Sequence, residues 1–415
     1  MLNRRRFLMR TLQGSSLLAL SPAVPGFLAQ TARAAEPGKD NVLVVVELTG
    51  GNDGLNTVIP YADDLYHKYR PSLHFTKEQV VRVDDHIGLH PALRPLDNLL
   101  QKGRLAIVQG VGYPNPDRSH FESMDVWQSA DPQRRTTNGW LGRSAAEFSG
   151  GAELPMIHVG KQRLPLAMQG ASGAAISVND NLPYRLELGG GTPERHKVRR
   201  KLLEDLAKES EAGENSLLEF VQRRQIKTLT TLDRLQSVVS NYAGGGVQGT
   251  DGRWFGPGFA AKLQLVAKLI EKGFGTRIFY VSLEGFDTHS GQAQAHSQLL
   301  GQLADGISNF YGTLDKIGQA KRVRLLTFSE FGRRVKENGS KGTDHGAGSC
   351  LFVAGPGLKA GAVGAHPSLS DLDSGDLKHH TDFRRVYASL LDGWLGCDSK
   401  AILGGSFENL KELKS

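Results

Sequence analysis

Cysteine is nearly missing: the 415 residues include only Cys350 and Cys397. That scarcity excludes a disulfide-stapled scaffold and every cysteine-rich zinc module. Long apolar runs are missing as well. The best candidate, roughly Leu17 to Leu28, is interrupted by Ser21, Pro22 and Pro25 and falls short of the ~20 residues that a membrane span needs. No collagen-like period, low-complexity tract or internal repeat accompanies the 50 glycines and 17 prolines. The body of the chain also lacks a basic surplus. The formal net charge is +7, but Arg4, Arg5, Arg6, Arg10 and Arg33, with no acid among residues 1–34, account for five of those charges and leave +2 for the remainder. With no basic–aromatic stripe either, the composition argues against nucleic-acid binding.

The first residues read as an address. A basic start, Asn3-Arg4-Arg5-Arg6-Phe7-Leu8-Met9, precedes a small-residue apolar stretch and then Ala32-Arg33-Ala34. This is the n-region, h-region and A-x-A cleavage site of a secretory signal. The paired arginines ahead of Phe7 and Leu8 resemble a twin-arginine signal. The expectation is a leader over residues 1–34, read by the twin-arginine export machinery, and a periplasmic or secreted domain over residues 35–415 with no stable membrane insertion after processing. An oxidising compartment would permit Cys350 and Cys397 to pair.

The body alternates two kinds of pattern. Continuous β-branched or apolar runs occur at Asn41–Leu48, Leu105–Val108, Met156–Val159, Arg277–Leu283, Val323–Phe328 and Cys350–Ala354. Such runs, without polar alternation, mark strands buried on both faces of a parallel sheet. Helix-period segments lie between them: Pro91–Leu100, Phe259–Ile270, Ala295–Ile317 and a closing segment Thr381–Leu395. The pattern predicts an α/β domain with a mainly parallel central sheet. Residues 193–242 are charged and helix-periodic, and read as a helical insertion beside it.

In such sheets ligands gather at the carboxyl ends of strands. The first strand is followed by Gly50-Gly51-Asn52-Asp53-Gly54, the second by Arg118-Ser119-His120, the Arg277 strand by Asp287-Thr288-His289, and the Val323 strand by Ser329-Glu330; Asp344-His345 precedes the Cys350 strand. A mixed set of Asp, Glu and His suits a divalent cation, zinc, manganese, magnesium or calcium. Asp53 also suits a plain turn. Asp287 and His289, two apart, can both point to one site from an extended segment. Asp344 and His345 are adjacent, so either one ligates while the other orients, or a tight turn brings in both. Glu330 is a ligand or the partner of Arg333 or Arg334. Ser119 and Glu122 match a capping box. A hydroxyl at a helix start beside a cation is equally a candidate nucleophile. Arg118 is a candidate anion holder and His120 a ligand or acid–base group.

Six segments together carry a family resemblance: Leu48–Asn56, Gly112–Phe121, Gly285–His289, Thr327–Arg334, Gly342–Gly346 and Thr381–Arg384. Nearly end to end, the mature chain resembles the exported bacterial family catalogued as domain of unknown function 1501, placed in the alkaline phosphatase and sulfatase superfamily. The resemblance implies an alkaline phosphatase-like three-layer sandwich and hydrolysis or transfer of phosphate or sulfate esters at a two-metal site. It implies that Asp53 is a metal ligand, Ser119 the nucleophile, Asp287 and His289 the first ligand group, and His345 the last histidine ligand. Glu330 falls where the superfamily places an Asp-His pair, and Asp287 and His289 are closer in sequence than the superfamily's usual spacing. These departures leave the metal count, one or two, and the retention of hydrolysis open.

Two functions follow from these residues. One is a metal-dependent hydrolase acting on a small anionic ester, with Ser119 attacking. The other is a non-catalytic exported binding or assembly protein on the same fold. A Gly-x-Asn-Asp esterase is disfavoured, because no Gly-Asp-Ser nucleophile precedes Gly50.

Overall fold

In the computed structural model, residues 40–148, 154–160, 163–170, 175–178, 201, 231, 233–239, 247–248, 254–255 and 258–413 are described. The expected leader and most of the expected 193–242 insertion lie outside them. Within the insertion, residues 233–239 are helical and bury Leu235 and Val239.

The strand-forming runs build one nine-stranded sheet. In chain order its strands are β1 (Val42–Thr49), β2 (Leu105–Gly112), β3 (Met156–Val159), β4 (Ala175–Val178), β5 (Ile278–Glu284), β6 (Val323–Phe328), β7 (Ser349–Ala354), β8 (Gly361–Val363) and β9 (Thr381–Asp382). The order across the sheet is β8-β2-β7-β6-β1-β5-β3-β4, with β9 also on β2. β1 is central and parallel to both neighbours, with Val45 opposite Tyr280 of β5 and Leu326 of β6. β7 alone runs the other way, antiparallel to β6 and to β2.

β1 shows why the run is continuous. Val42, Val44, Val46 and Leu48 enter one core, and Leu43 and Val45 enter another on the opposite face. A strand with a core on each side has no use for polar alternation. The first core is closed by the helices Phe259–Lys272 and Gln292–Lys316. The second is closed by α1 (His120–Ser129), by Trp140–Phe148 and by Phe383–Leu390, where Trp127 stacks on Phe383 and Trp140 on Tyr387. The result is the expected three-layer α/β arrangement.

Two predicted helices differ in detail. Pro91–Leu96 forms a tighter 3₁₀ stretch before an α-turn at Asp97–Gln101, because Pro95 has no N–H to donate. The closing segment begins as β9, becomes α-helical at Phe383 and ends in a wider turn at Leu391–Leu395. Cys350 and Cys397 are both free thiols, so the permitted pairing is not made. Among the described residues, no helix is long and apolar enough to cross a membrane.

The topology decides where chemistry can gather. β1, β2, β5 and β6 are mutually parallel and end on the same rim. Because β7 is reversed, its first residue, Ser349, starts at that rim. The Asp344-His345 segment that leads into it is therefore delivered beside the loops that follow the other strands.

Candidate metal centre

Three imidazoles and one carboxylate meet at this rim. Asp287 Oδ1 lies 3.0 Å from His289 Nε2 and 3.2 Å from His345 Nε2, and Asp287 Oδ2 lies 3.5 Å from His120 Nε2. His289 Nε2 and His345 Nε2 are 2.9 Å apart. His120, Asp287 and His345 each offer a ligand atom within 4.8 Å of the others.

Each imidazole is held from behind through Nδ1. His120 Nδ1 donates to Glu330 Oε1 at 2.8 Å, His345 Nδ1 donates to the Arg118 carbonyl at 2.8 Å, and His289 Nδ1 faces Asp344 Oδ1 at 3.4 Å. An acceptor at Nδ1 fixes the proton there and leaves the lone pair on Nε2. All three lone pairs then face the Asp287 carboxylate, an arrangement of donors that suits a cation.

The spacing agrees. Tetrahedral coordination with bonds of roughly 2.0–2.1 Å puts neighbouring ligand atoms about 3.3 Å apart. His289 and His345 Nε2, 2.9 Å apart, stand 3.0 and 3.2 Å from Asp287 Oδ1, close to that value, while His120 Nε2 approaches the other oxygen, Oδ2, at 3.5 Å. Imidazole and carboxylate together favour zinc or manganese over magnesium or calcium, which prefer oxygen alone.

The charges are arranged for the same end. Burial acts to raise the Asp287 carboxyl, but the Arg333 guanidinium, donating to Oδ1 at 2.7 Å, and the neighbouring imidazoles overcome it and hold the group at about 2. The Asn338 amide, 3.1 Å from Asp344 Oδ1, holds that carboxyl below its ordinary range, and burial only partly opposes this. The hydrogen bond to Glu330 pushes His120 up, against its partial burial.

Backbone geometry brings the loops together. Gly50 has φ +118°, and a Cβ there would lie 2.4 Å from the Asp287 nitrogen. Glycine lets the β1 loop rest directly on the β5 loop. The Gly50 N–H then reaches Glu330 Oε1 at 2.9 Å. Arg333, with its side chain fully buried, ties the rim further: Nε donates to the Gly51 carbonyl at 2.7 Å, Nη1 to the Thr343 carbonyl at 2.8 Å and Nη2 to Phe286 at 3.1 Å.

Several sequence expectations need correction here. Glu330 and Asp344, taken as candidate ligands, stand behind His120 and His289 and orient them. Arg333 is not the partner of Glu330; it serves Asp287 and four loop carbonyls, those of Gly50, Gly51, Phe286 and Thr343. Asp53 is not brought to the cluster. Its carboxylate is fully buried against the Arg70 guanidinium, 2.6 Å from Nη1. Arg118 presents its carbonyl to His345, while its guanidinium turns to Asp376, with Nε 3.0 Å from Oδ2. The Ser119–Glu122 capping box does not form. Ser119 is the N-cap of α1 but its side chain makes no capping hydrogen bond, its N–H donates to Asp117 Oδ1 at 2.7 Å, and Glu122 pairs with Arg134.

Sequence reasoning missed Arg70, Asn338 and Gln292, and named Arg333 only as a candidate partner of Glu330. Gln292 is fully buried; its Oε1 accepts from Thr288 Oγ1 at 3.1 Å and from Thr343 Oγ1 at 2.6 Å, and its Nε2 donates to Asp53. Only Arg333 carried a signal, as a cation three residues after Glu330.

The chain has likenesses among solved structures. Lipoteichoic acid synthase LtaP from Listeria monocytogenes is 9% identical, with 91% of this chain and 75% of that one covered and a TM-score of 0.37. PsFucS1 sulfatase from Pseudoalteromonas sp. is 10% identical, with 92% and 73% covered and a TM-score of 0.42. The C-terminal periplasmic domain of EcEptC from Escherichia coli, in complex with Zn, is 9% identical, with 76% and 73% covered and a TM-score of 0.32. No curated protein matches the chain. Residues 40–403 match the family described as "Protein of unknown function (DUF1501)", and the chain belongs to that family.

Proposed function

We propose that this protein is an exported, divalent-metal-dependent hydrolase of phosphate or sulfate esters. The observation that carries the reading is the convergence of His120, His289 and His345 Nε2 on the Asp287 carboxylate. These four residues would hold the cation, which would supply Lewis acidity toward an ester oxygen.

The chain's own groups support the same chemistry. Ser119 is the residue before His120, at the start of α1, and its hydroxyl is not spent on capping. The unpaired N–H groups of that first turn favour a negatively charged group beside it. In this reading Ser119 Oγ gives up its proton and forms a bond to phosphorus or sulfur, the bridging ester bond breaks and its oxygen leaves with a proton as the alcohol, and water then releases the phosphate or sulfate and restores the serine hydroxyl. Room for the rest of the ester lies alongside, in a cleft of about 690 Å³ lined by Asn115, Asp117, Arg118, Asp376, Lys378 and His379. Export rests on the sequence of residues 1–34, and its test is separate: Arg4→Lys with Arg5→Lys should leave the precursor in the cytoplasm.

The central test uses zinc- or manganese-replete protein and aryl phosphate and aryl sulfate substrates. Turnover is expected, with loss on chelation. Ser119→Ala should abolish turnover while leaving the metal bound; activity surviving that change refutes the nucleophile. A second reading, a non-catalytic exported binding or assembly protein on the same fold, draws on the lack of an activating base hydrogen-bonded to the Ser119 hydroxyl among the described residues. Metal bound without turnover of either ester class would favour it.

A further inference from the structure

Asp53 follows the central strand, where the family resemblance puts a cation ligand, yet its surroundings are complete without one. The carboxylate is fully buried. Arg70 Nη1 donates to Oδ2 at 2.6 Å and Arg70 Nη2 to Oδ1 at 3.1 Å, a two-pronged contact covering both oxygens. Gln292 Nε2 also donates to Oδ2, and the Asn56 N–H to Oδ1 at 3.3 Å. A carboxylate has about four acceptor positions, and all of them are taken.

The guanidinium is equally complete. Beyond Asp53, Nε donates to the Val335 carbonyl at 2.6 Å, Nη1 to Asn56 Oδ1 at 3.2 Å and Nη2 to the Arg334 carbonyl at 2.8 Å. That uses all five N–H donors of an arginine, a side chain that does not lose its proton in proteins. A cation that took Asp53 as a ligand would have to displace one of these donors, and displacing Arg70 leaves a buried charge without its counter-ion, which is strongly unfavourable; Asp287, by contrast, is half exposed and gives its arginine, Arg333, only Oδ1. Burial raises the Asp53 carboxyl, but the Arg70 charge outweighs it and holds the group at about 2, so the pair stays ionised.

We propose that the centre takes one divalent cation per chain, because the guanidinium of Arg70 permanently occupies the place beside Asp53 that a second would need. This rests on the reading of the His120–Asp287–His289–His345 cluster as the cation site. Asp53 then acts as a positioning residue. Through Gln292 it reaches Thr288, between two ligands, and Thr343, two residues before His345.

The test is metal stoichiometry on the full mature chain, loaded separately with zinc and manganese, dialysed and measured by elemental analysis. One equivalent per chain is expected. Two equivalents overturn this inference and leave the cluster reading standing; none overturns both. Asp53→Asn separates ligand from positioning residue: the variant is expected to keep one equivalent, while His345→Ala and Asp287→Ala lose it. Loss of all metal from Asp53→Asn, with wild-type circular dichroism, makes Asp53 a ligand and overturns the inference. Should that variant fail to fold, the wild-type count still decides between one and two.

Discussion

Replacing Glu330 by glutamine isolates the charge behind His120. Glu330 is 1% exposed. Its Oε1 accepts from Gly50 N at 2.9 Å and from His120 Nδ1 at 2.8 Å, and its Oε2 faces Ser329 Oγ at 2.9 Å. A glutamine carbonyl can keep the first two contacts. Its amide can donate to Ser329 Oγ, whose own proton has the Leu48 carbonyl 2.6 Å away. The geometry therefore survives and the charge alone is lost. A hydrogen bond to a charged group contributes about 1.5–3 kcal/mol net and a neutral one about 0.5–1.5, a difference of roughly 1–1.5 kcal/mol. At ~1.4 kcal/mol per decade this weakens cation binding about 5- to 12-fold, at the low end of what orienting partners of metal-bound histidines contribute. Competition titration of zinc against a chromophoric chelator, with circular dichroism on the same sample, reads the change. An affinity within about twofold of wild type refutes the orienting role, and a loss beyond roughly a thousandfold with an intact fold makes Glu330 a ligand itself.

Gly50→Ala forces a side chain into φ +118° with its Cβ 2.4 Å from the Asp287 nitrogen. Backbone strain of ~1–3 kcal/mol is expected, together with weaker cation binding because Asp287 must move; an unchanged urea midpoint would refute the close approach. Acid should unfold the protein in two stages. Burial holds His158 and His296 down at about 4 and His90 at about 3, against 6.5 when exposed. The unfolded chain therefore binds more protons, and stability is complete above about pH 6.5 and falls toward pH 4, by ~2 kcal/mol at pH 5 for His296 alone. Urea midpoints at pH 7 and pH 5 measure the first stage, and His296→Gln should shrink the difference; a flat profile would refute neutral burial. The second stage follows Asp53, whose folded value of about 2 lies below the exposed 3.8. The stability of its pair with Arg70 is lost as pH falls from about 4 through 2, and Asp53→Asn should blunt that loss.

The strands were legible because burial on both faces leaves a continuous apolar run, and β1, β5 and β6 read directly from it. His120, Asp287 and His289 were legible as candidates because they follow strands, and His345 because it leads into the reversed strand β7. Their division of labour was not. Whether an acid binds a cation or steadies a histidine depends on a distance of one side chain, and Glu330 and Asp344 fall on the steadying side. Asp53 misled because its partner, Arg70, sits beyond a helical turn in a segment without a pattern of its own. The capping box at Ser119 failed because Asp117, two residues earlier, takes the Ser119 N–H while Glu122 turns to Arg134. Local spacing offered both outcomes, and the tertiary neighbours chose.

The Arg70–Asp53 pair has a consequence for the conditions the protein can tolerate. Dissolved electrolyte weakens attractions that run through water, such as the surface contact between Lys378 and Asp371. It has no access to a pair from which solvent is wholly shut out. The scaffold behind Thr288 and Thr343 should therefore hold equally firm in fresh water and in brine, leaving salinity to act on the outer face of the molecule alone.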